Sequence, residues 1–247
     1  MISQPIHQDA VPQQDRLLVT IDGPAGTGKS SVSRQLAKKL GVDFLDTGAM
    51  YRAVAALAID TGIDISTLSD DESNIARMVN CADLQFDFST DPPNLCAAGK
   101  SIMTRLRDPD VAVLVSPISK LPAIRRILVQ RQRRIAEVHP QLVSEGRDQG
   151  SIVFPGADVK FYLDASLDVR ARRRVQQLSS AGRTADLEQI KAEIADRDKR
   201  DSTRKVGPLI CPEDAIRVDT SDLSRDGVVQ HLHDIVLQHL TPASAGA

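Results

Sequence analysis

Residues Gly23-Pro24-Ala25-Gly26-Thr27-Gly28-Lys29-Ser30 match the pattern G-x-x-x-x-G-K-[ST] at every fixed position. The chemistry this spacing serves is the cradling of a polyphosphate. Gly23 and Gly28 permit backbone turns that aim successive N–H groups inward, making a concave nest for phosphate oxygens. Lys29 supplies a full positive charge for β- and γ-phosphates, and Ser30 offers a hydroxyl to Mg²⁺. A helix starting there adds its positive end to the attraction. The plain alternative is a chance glycine turn, which would need neither a strand before it nor a helix after it.

Three further groups of residues could complete a reaction. Asp46-Thr47-Gly48-Ala49-Met50-Tyr51-Arg52 places Thr47 where a helix begins, able to meet an anion, with Arg52 one turn on as a bidentate fork for phosphate. The competing reading makes Thr47 a helix cap and Arg52 a solvated side chain. Glu145-Gly146-Arg147-Asp148-Gln149-Gly150-Ser151 is a polar loop whose glycines keep the backbone bare around Arg147 and Asp148; an ordinary turn with an internal Arg–Asp pair has the same spacing. Arg197, Asp201 and Arg204 fall at i, i+4 and i+7, on one helical face. They could equally form a surface ion-pair ladder, at about 0.3–0.5 kcal/mol per pair.

These groups must be carried by elements, and the elements are readable. Leu17–Ile21 is a short, nearly continuous apolar and β-branched run, the pattern of a strand buried on both faces. After the glycine loop, Ser30–Leu40 aligns Val32, Leu36 and Leu40 on one helical face, with Gly41 as a C-cap. A second apolar piece ends at Asp46. Strand, glycine loop, helix, strand is a βαβ unit and implies a parallel sheet. The expected fold is α/β: a five-stranded parallel sheet with helices on both faces. Its strands are Leu17–Ile21, Phe44–Asp46, Leu142–Glu145, Val159–Leu163 and Ala215–Asp219. Pro117 and Pro122 divide the apolar stretch after Val111 into two helices, the second with a basic face over Arg125–Arg134, and a last helix spans Gly227–His239. Arg170, Arg172, Arg173 and Arg174 crowd one helix of a basic hairpin broken at Gly182. Such a hairpin suits a lid over polyphosphate.

Composition narrows the partners. The 247 residues are 41% apolar and 26% charged, enough for a sizeable core. Thirty-one Lys+Arg against 33 Asp+Glu give a net charge of -2, so there is no global basic field for a nucleic-acid polymer. Three cysteines without a C-x-x-C pair fit a reduced, cytoplasmic setting. Met1–Asp15 lacks a basic n-region and an apolar h-region, and no apolar run approaches the roughly 20 residues of a membrane span. Residues 1–15 are expected to be a disordered arm and 241–247 a disordered tail; a monomer is expected. A guanine reader of the N-K-x-D type is absent, which argues against a GTP-operated switch.

Taken together, the motifs resemble the bacterial cytidylate kinases, P-loop nucleoside monophosphate kinases. The resemblance runs from about Leu17 to about Leu240. It rests on Ile21–Ser30, Asp46–Arg52, Glu145–Gly150 followed by Val153-Phe154-Pro155, Phe161–Ser166, and the Arg197–Arg204 face. It implies transfer of the γ-phosphoryl group of ATP to CMP or dCMP with Mg²⁺ at Ser30, in pyrimidine nucleotide metabolism. The core would comprise 16–63, 107–168 and 205–240, with a small β-rich insert at 64–106 that closes over the acceptor nucleotide and a lid at 169–204. Gly23, Pro24, Ala25, Gly26, Thr27, Gly28, Lys29, Ser30 and Ser31 would bind ATP. The resemblance assigns Arg52 and Arg147 to the acceptor phosphate, with Lys29 as the third catalytic group. It assigns Arg107 and Asp148 to cytosine, Asp201 with Arg197 to the ribose, Arg204 to the base or phosphate, and Thr47 to a position where many members carry Ser. Another small acceptor such as UMP, or a nucleotide-binding module without turnover, are the alternatives.

Overall fold

The computed structural model describes residues 15–64, 72–180 and 182–240. The expected tail, and all of the expected arm except Asp15, lie outside them. Five parallel strands form the central sheet: β1 (Leu17–Asp22), β2 (Asp43–Asp46), β6 (Gln141–Glu145), β7 (Val159–Asp164) and β8 (Ile216–Asp219), in the order β2-β6-β1-β7-β8. All six residues of β1 are buried, as a strand covered on both faces requires. Leu17, Val19 and Ile21 point into a cluster with Val32 and Leu36 of α1 (Lys29–Leu40) and Val228, Leu232 and Val236 of α8 (Arg225–Leu240), while Leu18 joins Leu45, Leu142 and Phe154 on the opposite face.

The helix boundaries have local causes. α1 stops at Gly41, whose φ of 70° is costly for a side-chain-bearing residue. α2 (Thr47–Asp60) is capped by Asp46, whose carboxylate accepts the Ala49 N–H at 2.9 Å. Asp46, not Thr47, is thus the cap. α4 (Pro109–Ile118) and α5 (Pro122–Val138) each begin with a proline, and Pro117 falls in the last turn of α4 rather than before it. Together with α3 (Ser73–Cys81), these helices enclose a further apolar cluster, with Val54, Ile75, Leu106, Ile118, Ile124 and Leu128 inside it.

Two smaller units stand apart from the sheet. β3 (Gln85–Asp87), β4 (Asn94–Ala97) and β5 (Lys100–Ser101) make an antiparallel sheet within 64–106. α6 (Leu167–Ser180) and α7 (Leu187–Thr203) form a hairpin around Ala171, Ile190 and Ile194. The five-stranded parallel sheet lies where the sequence places it.

Candidate active site

The glycine loop joins β1 to α1 at the carboxyl end of the sheet, where open α/β sheets bind ligands. A Cβ at Gly23, whose φ is 145°, would overlap the Leu163 carbonyl oxygen. Only glycine lets the loop leave β1 against β7. Lys29 is buried and folds back on the loop, donating to Pro24 O at 2.5 Å and approaching Thr27 Oγ1 at 3.3 Å. Burial first, and the nearby Arg147 second, hold its ammonium well below the usual lysine range. Gly26, Thr27, Gly28, Lys29, Ser30 and Ser31 line a groove that continues past Arg173 and Arg174 to Thr220 and Arg225.

Gly23, Pro24 and Ala25 do not line that groove. Ala25 is held from the hairpin: its N–H donates to Asp198 at 2.9 Å, its carbonyl accepts from Arg170 at 3.0 Å, and Arg170 and Asp198 pair with each other. Of the four clustered arginines, Arg170 is therefore committed to the loop's backbone and Arg173 to Thr220 at 3.0 Å. Arg172 lines neither cleft.

A second cleft adjoins the first. Thr47, Arg52, Arg147, Asp148, Arg197, Asp201 and Arg204 all line it. Thr47, freed from capping, donates to Glu145 O at 2.7 Å, and Arg52 pairs with Asp46 at 2.8 Å. Arg147 pairs with Asp201 of α7 at 3.1 Å, which ties the hairpin to the turn after β6. Burial and the adjacent Arg147 lower Arg197 from the ordinary arginine value. Five guanidiniums line the cleft against four carboxylates, Asp46, Glu145, Asp148 and Asp201, so positive charge is in slight excess there.

Arg107 does not join this cleft. It is exposed on a 3-10 turn, Arg105–Arg107, and is absent from the lining. The partner of Asp148 is instead Arg125 of α5. The two form an ion pair in which both side chains are 4% exposed, with Arg204 at 4.0 Å. Gly207, at φ 61°, packs directly on this pair, and a Cβ there would overlap the Arg125 guanidinium. Nothing in the local pattern marked Arg125, because the same helix carries Arg126, Arg131, Arg133 and Arg134 on its basic side.

The two clefts share Ser30, Glu145 and Arg147. Ser30 donates to Glu145 at 2.9 Å. Burial, and then Asp46, push the Glu145 carboxyl up from its ordinary value. A hydroxyl beside a buried carboxylate is an oxygen donor set that suits a hard divalent cation. Glu145 was open to sequence reasoning, since it ends the strand beside β1.

Residues 19–238 match the family model for cytidylate kinase. The chain belongs to the cytidylate kinase family. Curated relatives include cytidylate kinases of Mycobacterium avium, 43% identical over 90% of this chain and 96% of that one, and of Caldanaerobacter subterraneus, 40% identical over 88% and 93%. The cytidylate kinase of Nocardia farcinica is 42% identical over 93% of this chain and 97% of its own. Family membership supports reading the glycine loop as a P-loop rather than a chance turn. No helix among the described residues is long and apolar enough to cross a membrane.

Proposed function

We propose that the protein transfers the γ-phosphoryl group of ATP to CMP or dCMP, giving ADP and CDP or dCDP. The observation that carries this reading is the meeting of two anion clefts at Ser30, Glu145 and Arg147. A donor triphosphate in the glycine loop and an acceptor monophosphate beside Thr47 would meet there.

Phosphoryl transfer asks a protein mainly to position groups and stabilise charge. The second pKa of a phosphate monoester lies near 6, so the acceptor is already largely a dianion at neutral pH and needs no strong general base. This agrees with the clefts, whose linings contain no histidine among the described residues. Repulsion between two polyanions is the remaining barrier, and Lys29, Arg52, Arg147 and Arg197 face it. Mg²⁺ fits the Ser30–Glu145 oxygen pair; Ser30 would hold it, with Glu145 beside it. Bound there, the ion would supply positive charge to offset that of the phosphates.

Base choice follows from Asp148 and Arg125. Asp148 accepts from the cytosine N4 amino group, and Arg125 donates to O2 or N3. Uracil presents an acceptor at position 4 and a donor at N3, so both partners would be mismatched. Asp201 and Arg197 are assigned to the ribose, Arg204 to the base edge or phosphate, and the α6–α7 hairpin to a lid that closes over the polyphosphate. We further assign the enzyme to the cytoplasm as a monomer acting on free nucleotides; the net charge of -2 supports small ligands over a nucleic-acid polymer.

ADP release with CMP, dCMP, UMP, AMP and GMP as acceptors tests the reading. CMP and dCMP should stimulate it by the largest factor. If no monophosphate raises ADP formation above the rate with ATP alone, the proposal fails.

A further inference from the structure

Neither oxygen of the Asp22 carboxylate is spent on either cleft. Asp22 ends β1, directly before the glycine loop, and is 1% exposed. One oxygen accepts the backbone N–H of Gln149 at 2.9 Å and the other accepts that of Gly150 at 2.7 Å. Those two residues follow Arg147 and Asp148 and open a short π-turn, Gln149–Val153. The parallel ladder between β1 and β6 ends with Ile21 opposite Glu145, and Gly146 N donates to Ile21 O at 3.1 Å. Beyond that point the turn has left the sheet. The end of β1 therefore grips it on both sides, by the Ile21 carbonyl before Arg147 and by the Asp22 carboxylate after Asp148.

We propose that Asp22 is a positioning residue whose carboxylate, by holding the Gln149 and Gly150 amides, sets where Arg147 and Asp148 point in the acceptor cleft. The inference rests on the acceptor reading given above. The residue type matters. Two backbone donors require two acceptors, and a carboxylate has acceptors on both oxygens, whereas an asparagine would turn an amide N–H₂ toward one of them. Burial raises the Asp22 carboxyl to about 7 even though both amides favour its charge, so the two hydrogen bonds are made by a group that is costly to bury. The grip extends through the Gln149 side chain, which accepts from Ser144 at 2.8 Å and approaches Thr47 Oγ1 at 3.4 Å. One buried carboxylate thus orders the turn carrying Arg147 and Asp148 and braces it against Thr47.

The test compares the wild type with Asp22→Asn. Steady-state kinetics with CMP and UMP are measured beside ATP affinity without acceptor and the thermal midpoint. We expect the KM for CMP to rise about tenfold and the CMP-over-UMP ratio of kcat/KM to fall about fivefold, with ATP affinity changed less than about twofold. Amide exchange at Gln149 and Gly150 should quicken about tenfold while Val143 within β6 keeps its protection. An unchanged KM and base ratio would overturn the proposal. So would a parallel loss of ATP and CMP affinity, which would place Asp22 in the service of the glycine loop. If the variant does not fold, scalar couplings across hydrogen bonds from the wild-type Asp22 carboxylate to the Gln149 and Gly150 nitrogens decide. We expect them with and without CMP, and their absence in either state sinks the idea. A wild type that ignores CMP defeats the acceptor reading and this inference with it. A discriminating wild type beside an equally discriminating variant defeats the role of Asp22 alone.

Discussion

The groove proposed for the donor takes Gly26 to Ser31 from one short stretch of chain, with arginines of α6 and α8 beside it, whereas the cleft proposed for the acceptor gathers side chains from α2, α4, α5, the turn after β6 and α7. The loop's share of the first is mostly backbone, shaped by glycines at φ 82° and 88°. The second is mostly guanidinium and carboxylate, paired in advance as Arg52–Asp46, Arg147–Asp201 and Arg125–Asp148. A backbone nest binds any polyphosphate in one way, because every peptide offers the same N–H. Converging side chains can choose among acceptors, because each can be changed separately. On the proposed reading, generality sits in the local loop and selectivity in the assembled cleft.

That contrast can be broken from either side. Lys29→Met strikes the one charged side chain of the nest and should slow turnover a hundredfold or more, about 3 kcal/mol of transition-state stabilisation, without altering the choice among monophosphates. Near-normal turnover, read by coupled ADP release, would remove the loop from the chemistry. Asp148→Ala should do the reverse, costing CMP about 2 kcal/mol relative to UMP while ATP affinity holds. An unchanged ratio would move base reading elsewhere.

The protonation of Asp22 sharpens the structural half of the comparison. Its carboxyl is raised to about 7, so between about pH 4 and 7 the folded chain keeps a proton that the unfolded chain has released. Stability from this group is thus present at low pH and declines as pH rises, by at most about 1.4 kcal/mol per unit. Asp22→Asn removes that slope, so in urea unfolding between pH 5 and 7 the wild type should lose ground to the variant. A constant difference would mean that the carboxyl titrates normally.

Asp201→Ala should raise the KM for CMP roughly fivefold to tenfold, about 1 kcal/mol, and raise that for dCMP less if the lost partner is the 2′-hydroxyl. Equal losses would credit Asp201 only with holding Arg147. The smallest effect belongs to Arg107→Ala, which should leave the KM for CMP within about twofold, since the residue stands outside the cleft. A loss comparable to that of Asp148→Ala would restore Arg107 to base reading.

Legibility in the sequence followed the same divide. The glycine loop, the βαβ opening and the helical face of Arg197, Asp201 and Arg204 were readable because each depends on spacing within one element. Arg125 was not. It shares a basic helix with Arg126, Arg131, Arg133 and Arg134, and only the packing of α5 against the turn after β6 singles it out. Arg107, which the resemblance assigned to cytosine, stands on an exposed turn just before α4, whose Val111 and Ile118 are buried in the apolar cluster. Thr47 was readable as a candidate, but its freedom depends on Asp46 taking the cap.

Sequence alone determined the parallel sheet, the glycine loop and the supply of arginines, because hydrophobic periodicity and glycine placement act over a few neighbouring residues. Tertiary structure decided which arginine meets Asp148, which carboxylate stands beside Ser30, and that the end of β1 holds the turn after β6 in place. Those pairings join residues that lie 23, 115 and more than 120 positions apart. Nothing local encodes such contacts; they exist only once burial has brought the strands into register.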